Sequence, residues 1–152
     1  MREIKFRGKR IDNKEWVYGY LYKLPLPNGE ACMILTQDNN HVDNSLEPKY
    51  HLAFTLWVDL FVVDPATVGQ YTGLKDRNGN EVYEGDILMV EGIKYPRYNI
   101  VSWDERKFMF CIDETPLYAY LHGDTLLREY VVCGNVFDNP DFIEKGGNNE
   151  QD

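Results

Sequence analysis

The sequence has few cysteines, and their spacing excludes a disulfide framework. There are three in 152 residues, at positions 32, 111 and 133. They form no CxxC pair, and each lies in an apolar run, where a free cysteine behaves as a small buried hydrophobe. An odd number of isolated cysteines favours a reducing compartment, so we expect a cytoplasmic protein.

Long hydrophobic runs are also missing. No stretch approaches the roughly 18 apolar residues of a membrane span. The first ten residues, MREIKFRGKR, carry charges where a signal peptide needs an apolar stretch. The sequence therefore predicts a soluble chain with no membrane partner.

Catalytic and ligand-binding motifs are absent as well. No GxSxG elbow occurs, and residues 68–75 (VGQYTGLK) lack the GxxxxGK[ST] spacing of a phosphate loop. His41, Asp43 and His51 could supply ligands from one loop, but they lack a local pair such as HxxxH. We expect no catalytic residue, no metal and no cofactor; an enzyme of unknown type is a distant alternative.

Positive charge is scarce and unevenly placed. The net charge is −9, yet residues 1–23 hold seven Lys/Arg against three acidic residues, a net of +4, which leaves −13 for the remainder. An acidic body repels phosphate, so binding to duplex DNA is not expected. A single local contact between the basic segment, residues 1–23, and a nucleic-acid backbone is the alternative.

Aromatic residues and short apolar runs are abundant. Tyr alone contributes 11 residues, and strand-length runs recur about every ten residues with turn signals between them, which indicates an all-β (mainly β) barrel or sandwich. Even positions 54–62 are apolar, which favours a strand over 53–63 without excluding a helical turn. A short helix is expected only after Asn139.

Composition suggests a boundary at Asp64-Pro65. We predict an N-terminal β-hairpin or sheet region over 1–64, a second region over 65–143 and a disordered polar tail over 144–152. We expect the two halves to form one compact unit.

The N-terminal hairpin gives the best binding hypothesis. Alternation places Trp16, Tyr18, Tyr20 and Tyr22 on one strand face, and Arg7 and Lys9 would lie beside them if the two strands pair. Aromatic faces between basic residues can stack bases and hold phosphates. The same stripe can instead pack into a core or a subunit contact, which we favour because large aromatics dominate such contacts.

Glu84-Gly85-Asp86 is the sharpest local motif. It could be an acid–base pair, but we favour a structural turn, in which Gly takes an unusual backbone angle and Asp binds backbone N–H groups. The candidate binding surface as a whole comprises Arg7, Lys9, Trp16, Tyr18, Tyr20, Tyr71, Lys75, Glu84 and Asp86.

Four stretches together resemble the YopX family of phage and prophage proteins. They are IKFRG (4–8) followed by WVYG (16–19), DPxTVGQYTGLKD (64–76), NGxEVYEGDI (78–87) and GNVFDNP (134–140). The resemblance implies a phage-encoded protein of the bacterial host cytoplasm, with coiled β-sheets and an SH3-like barrel in the C-terminal half. It implies no reaction, cofactor or catalytic residue.

The resulting functional hypothesis is a non-enzymatic accessory module that binds a phage or host protein. The alternative is a nucleic-acid-associated module that uses the basic-aromatic hairpin. We also expect a homo-oligomer with Trp57 and Phe61 at the subunit contact, because the run 54–63 needs cover on both faces. Closure of the two halves on each other is the other way to cover that run.

Overall fold

The computed structural model describes residues 3–37, 58–90, 97–112, 114–122, 126, 127 and 129–142. The mainly β prediction is confirmed over these residues. The chain separates into two compact units, Lys5–Val68 and Met1–Ile4 with Gly69–Asp152. The change of unit thus comes four residues after the boundary predicted at Asp64-Pro65. The predicted tail, 144–152, lies outside the described residues.

The unit Lys5–Val68 is a curled antiparallel sheet. Its strands are β1 (Phe6–Lys9), β2 (Trp16–Leu26), β3 (Gly29–Gln37) and β4 (Val58–Val63), and each pairs with the next along the chain. The end of β1 turns back onto the end of β4, where the backbone N–H of Asp64 donates to the carbonyl of Lys9 at 2.8 Å. Arg10 and Val63 form a bridge at the same place.

The core of this unit lies on one face of the curled sheet. Ile34 and Val63 are completely enclosed, with 0% and 1% of their surface exposed. Alternation along β2 sends Val17 and Leu21 to that face. The residues of this core are Phe6, Val17, Leu21, Cys32, Ile34, Val63 and Val68.

The Pro and Asn-Gly content of residues 24–29 predicts a loop over all six residues, and the loop in the structure is shorter. β2 continues to Leu26, and only Pro27 and Asn28 turn the chain into β3. Pro25 is tolerated inside the strand because no described strand pairs with the other edge of β2 at this point, so its missing N–H costs no ladder hydrogen bond.

The second unit is built from short strands. They are β5 (Gly69–Lys75), β6 (Glu81–Tyr83), β7 (Asp86–Val90), β8 (Tyr98–Ile100), β9 (Ser102–Asp104), β10 (Met109–Ile112), β11 (Thr115–Pro116), β12 (Leu121–His122), β13 (Leu126–Leu127) and β14 (Tyr130–Asn135). β7 pairs with β8 and β14, β10 with β9 and β11, and β5 with β6 and β13. Within the described ranges these strands form open sheets and no closed barrel.

The run Tyr-Ala-Tyr-Leu at residues 118–121 predicts a strand, and this prediction is wrong over most of its length. Leu117–Tyr120 is a 3₁₀ helix, and only Leu121 continues as strand. Leu117 and Tyr120, three residues apart, both pack on the hydrophobic core, which is the spacing that a 3₁₀ turn presents on one side. The remaining members of this core are Leu74, Val82, Leu88, Val101, Phe110, Ile112, Leu127, Tyr130 and Val132.

Helix is a minor component of the described residues. Asp141 and Phe142 begin a helical turn after Asn139, where a short helix was predicted, and the continuation from residue 143 onwards lies outside the described residues. No helix found in the described ranges is both long and apolar enough to cross a membrane.

Candidate protein-binding face

The outer face of the curled sheet carries a row of tyrosines. Tyr18, Tyr20 and Tyr22 alternate along β2 with residues that point to the core, and 48%, 57% and 53% of their surface is exposed. The predicted alternation of this strand is therefore present. Against the described residues, the face that holds the tyrosines is open to solvent.

Aliphatic side chains extend the row in two directions. Leu24 and Leu26 continue it along β2, and Leu60 and Val62 of β4 lie on the same face, because Met33 pairs with both Tyr22 and Val62. Among the described positions of β1–β4 that share this face, none is acidic. We call the exposed set the tyrosine face; it comprises Tyr18, Tyr20, Tyr22, Leu24, Leu26, Leu60 and Val62.

Two cations border the tyrosine face at β1. Arg7 pairs with Tyr18 and Lys9 with Trp16, as predicted for the hairpin. The Arg7 guanidinium lies 4.7 Å from the centre of the Trp16 ring, and the Lys9 ammonium lies 5.6 Å from it. Arg7 is only 5% exposed. Both cations are thus engaged with one indole, and Arg7 has little surface left for a phosphate.

The end of the β2–β3 hairpin is a separate feature, which we call the arm (residues 24–31). β1 pairs with β2 only from Trp16 to Gly19, and β4 pairs with β3 only from Cys32 to Gln37. In the described residues the two strands of the arm therefore have only each other as partners. Residues 24–30 are all exposed. A Lys23–Glu30 ion pair of 3.0 Å lies on the side of the hairpin opposite the tyrosine face.

The residues predicted for the subunit contact are placed differently. Trp57 lies outside the described residues. Phe61 is half-buried on the face opposite Leu60 and Val62, and the guanidinium of Arg10 lies 4.4 Å from the centre of its ring. The contact predicted at these two residues stays a prediction.

The Glu84-Gly85-Asp86 segment is a tight turn. Gly85 has φ 81°, a conformation that favours glycine. Asp86 is 1% exposed, and its Oδ2 accepts a hydrogen bond of 2.7 Å from the backbone N–H of Tyr83. A Cβ at Gly69 would lie 2.5 Å from the carbonyl oxygen of Glu84, so only glycine fits there. These contacts match the structural interpretation of the motif.

Two further candidate residues lie in the same unit as this turn, away from the tyrosine row along the chain. Tyr71 is buried, and its ring centre lies 5.4 Å from that of Tyr83. Lys75 is exposed at the end of β5, opposite Glu81. The candidate residues are therefore divided between the two units, and the side chains of Tyr71 and Asp86 are not at the surface.

Asp76 has a structural role that the sequence did not reveal. It is completely buried, and its carboxylate accepts hydrogen bonds from the N–H of Asn78, Asn80 and Val132 and from the side-chain amide of Asn80, at 2.8–3.0 Å. It thereby ties the 75–81 turn to β14. The signal that could have found it is an Asp two residues before Asn78-Gly79, since an Asp side chain in an Asx turn binds the backbone N–H two residues on.

The GNVFDNP stretch is also a hydrogen-bonded turn. The side-chain oxygen of Asn135 accepts from the N–H of Phe137 and of Asp138, both at 3.0 Å. The side-chain oxygen of Asn139 accepts from the N–H of Asn135 at 3.2 Å. Three of the stretches that carry the family resemblance, through Asp76, Asp86 and Asn135, therefore hold backbone turns together.

Comparison with known proteins supports the family resemblance that those stretches indicate. The family model described as YopX protein matches residues 5–144. The chain belongs to the YopX family. The crystal structure of protein EF1440 from Enterococcus faecalis is similar in fold, with a TM-score of 0.53 at 20% identity, over 94% of this chain and 99% of that one. A comparison of this chain with curated proteins finds no match.

The YopX resemblance does not point to the tyrosine face as a whole. WVYG includes Tyr18, but Leu24, Leu26, Leu60 and Val62 lie outside the four stretches. Sequence reasoning missed these four as surface residues. For Leu60 and Val62 the signal was the alternation of the run 54–62, whose even positions are all apolar. The predicted contact used Trp57 and Phe61, which stand at odd positions.

Titratable groups in the described part of this YopX chain do not form a metal-binding cluster. His41 and His51 lie outside the described residues. The thiol of Cys133 has its pKa raised by burial, and its sulfur lies 3.3 Å from the carbonyl oxygen of Ile87. Cys32, Cys111 and Cys133 are all free of disulfides.

Proposed function

We propose that the protein is a non-enzymatic accessory module of a phage or prophage that binds another protein through the tyrosine face. The observation that carries this proposal is the exposure of Tyr18, Tyr20 and Tyr22 on one strand together with four aliphatic side chains. Contiguous exposed apolar surface marks interaction sites. Tyrosine is enriched at such contacts because it offers a large, stiff apolar body with a polar tip.

The structural roles of two buried carboxylates support a module without catalytic activity. Asp76 and Asp86 bind backbone N–H groups and hold turns. These two carboxylates therefore have a structural role, and so does the side chain of Asn135. The three free cysteines support the cytoplasmic setting. Closure of the second unit into an SH3-like barrel, as the family resemblance implies, belongs to the proposal but is not needed for binding at the tyrosine face.

Binding of single-stranded nucleic acid is the second candidate, since exposed tyrosines can stack bases. Two observations favour a protein instead. Leu24, Leu26, Leu60 and Val62 offer no ring for stacking, and the cations at the border already lie against Trp16. A single-stranded oligonucleotide that binds the wild type but not Tyr20→Glu would favour the second candidate.

Capture from host cell lysate tests the proposal. Tagged wild type is compared with Tyr20→Glu and with Tyr118→Glu, a control whose tyrosine is 64% exposed in the other unit. We expect a protein retained by the wild type and by Tyr118→Glu, and depleted at least about tenfold by Tyr20→Glu, because a central aromatic contact contributes about 2 kcal/mol or more. Identical captured proteins for all three baits would contradict the proposal.

A further inference from the structure

The arm is costly for a single chain to expose. A lone two-stranded hairpin is marginally stable in water. Here residues 24–30 project beyond the partners of both strands and expose Leu24 and Leu26 by 37% and 48%. Such a projection is expected to contact a further molecule that covers its apolar side.

The chemistry of the arm restricts what that molecule can be. Its apolar side carries no charge at the described positions. On its other side Glu30 pairs with Lys23, the residue just before the arm, and the pair is neutral as a unit. No cation is offered there to a phosphate or an acidic peptide. Pro25 lacks a backbone donor, so addition of a strand to this edge is also disfavoured. The contact must use the apolar side chains.

We infer that the occupant is a second copy of this chain, packed face to face and antiparallel along β2. This rests on the proposed function, since it names one partner of the same face. With the two-fold axis at Tyr22, Leu24 of each copy lies over Tyr20 of the other, and Leu26 lies over Tyr18. The arm of each copy then covers exposed tyrosine side chains of the other copy.

Charge favours this occupant. The chain carries a net −9, so most of its surface repels another copy. The tyrosine face has no acidic residue at its described positions. In a two-fold contact the same patch of both copies meets, so that patch must not repel a copy of itself. Arg7 and Lys9 border the row near Trp16, well away from the axis at Tyr22. The antiparallel arrangement therefore keeps the cations of the two copies apart.

The size of the contact predicts its strength. Residues 18–26 span about 30 Å, and two strands are about 10 Å wide, so the overlap is roughly 300 Å² per copy in projection. Leu60 and Val62 widen it. This lies below the roughly 800 Å² per partner of a standard interface. The dimer is accordingly a weak one whose population rises with protein concentration.

Light scattering on a size-exclusion column tests this inference. The wild type should shift with increasing concentration from 17.8 kDa towards twice that mass. The Leu24→Glu, Leu26→Glu double variant should stay at the mass of one chain, with an unchanged circular dichroism spectrum. Tyr118→Glu, the control, should behave as the wild type. A wild type that stays monomeric, or a dimer that the double variant leaves intact, overturns the inference.

A second measurement tests the inference even if the double variant does not fold. In Tyr22→Cys the new thiols of two copies lie near the axis, so a short bismaleimide should link them. Phe108→Cys, at a 78% exposed position in the other unit, is the control, and the wild type controls for the native cysteines. No cross-link beyond these controls overturns the inference. If no cross-link forms but capture from lysate depends on Tyr20, the proposed function holds and only the dimer is wrong. If no cross-link forms and capture does not depend on Tyr20, both proposals are wrong.

Discussion

At the scale of single residues, side chains that bind backbone groups account for much of what makes this sequence distinctive. Asp76 accepts hydrogen bonds from three backbone N–H groups and Asp86 from the N–H of Tyr83, groups that a turn would otherwise leave without partners. Such groups are costly to bury unpaired. These residues therefore shape the second unit, and a change at one of them should be interpreted first as a change in stability.

Asp76→Ala should destabilise the protein by about 3 kcal/mol, because it removes a buried carboxylate that accepts four hydrogen bonds. The measurement is urea denaturation followed by fluorescence. Lys75→Ala, at the exposed neighbouring position, is the control and should change stability by less than about 0.5 kcal/mol. Equal stability of the two variants would show that the carboxylate is not a structural link.

Asp104 should titrate below its ordinary pKa of 3.8, chiefly because its carboxylate accepts a hydrogen bond from the side chain of Lys107, and also from the backbone N–H of Arg106 and Lys107. A folded pKa below the unfolded one means that the stabilisation is present above the unfolded pKa and is lost as pH falls through the folded one. Nuclear magnetic resonance titration gives the pKa, and Lys107→Met should raise it. An unchanged value in that variant would contradict the assignment.

At the scale of elements, the two faces of the N-terminal sheet differ in what a charge would do there. Tyr20→Glu places a carboxylate in water, whereas Ile34→Glu places it in a site that is 0% exposed. We expect Tyr20→Glu to keep the thermal midpoint within a few degrees and Ile34→Glu to abolish cooperative unfolding. Loss of folding in both variants would mean that the tyrosine face is covered within the chain.

The elements also show how far the sequence could be interpreted. Period-two alternation predicted which residues of β2 share a face and that Arg7 and Lys9 lie beside Trp16 and Tyr18. It could not say which face is open, because that depends on how β3 and β4 curl around Ile34, a long-range pairing with no local signature. The arm was missed because Pro25 and Asn28-Gly29 favour a loop, whereas cross-strand pairing with β3 carried β2 through it.

At the scale of the whole molecule, the acidic charge disfavours binding of duplex nucleic acid. The net charge of −9 opposes approach to a phosphate backbone. Arg7 is buried against Trp16, so even the basic hairpin can neutralise few phosphates. Few phosphate contacts give little affinity at physiological salt.

We therefore expect no mobility shift of random duplex DNA in about 0.15 M salt, the physiological ionic strength. Lowering the salt should produce at most a weak shift that Lys9→Gln reduces further. Tight binding at physiological salt would contradict this expectation and would turn attention to the basic segment of residues 1–23.

Photo-cross-linking in the host cell tests the tyrosine face most directly. Benzoylphenylalanine is placed at position 20 in one variant and at position 118 in another, two tyrosine positions with 57% and 64% of their surface exposed in different units. The proposal predicts discrete protein adducts from position 20, either with a second copy or with another protein, and none above background from position 118. Equal yields from the two positions, or no adduct from position 20, would contradict it.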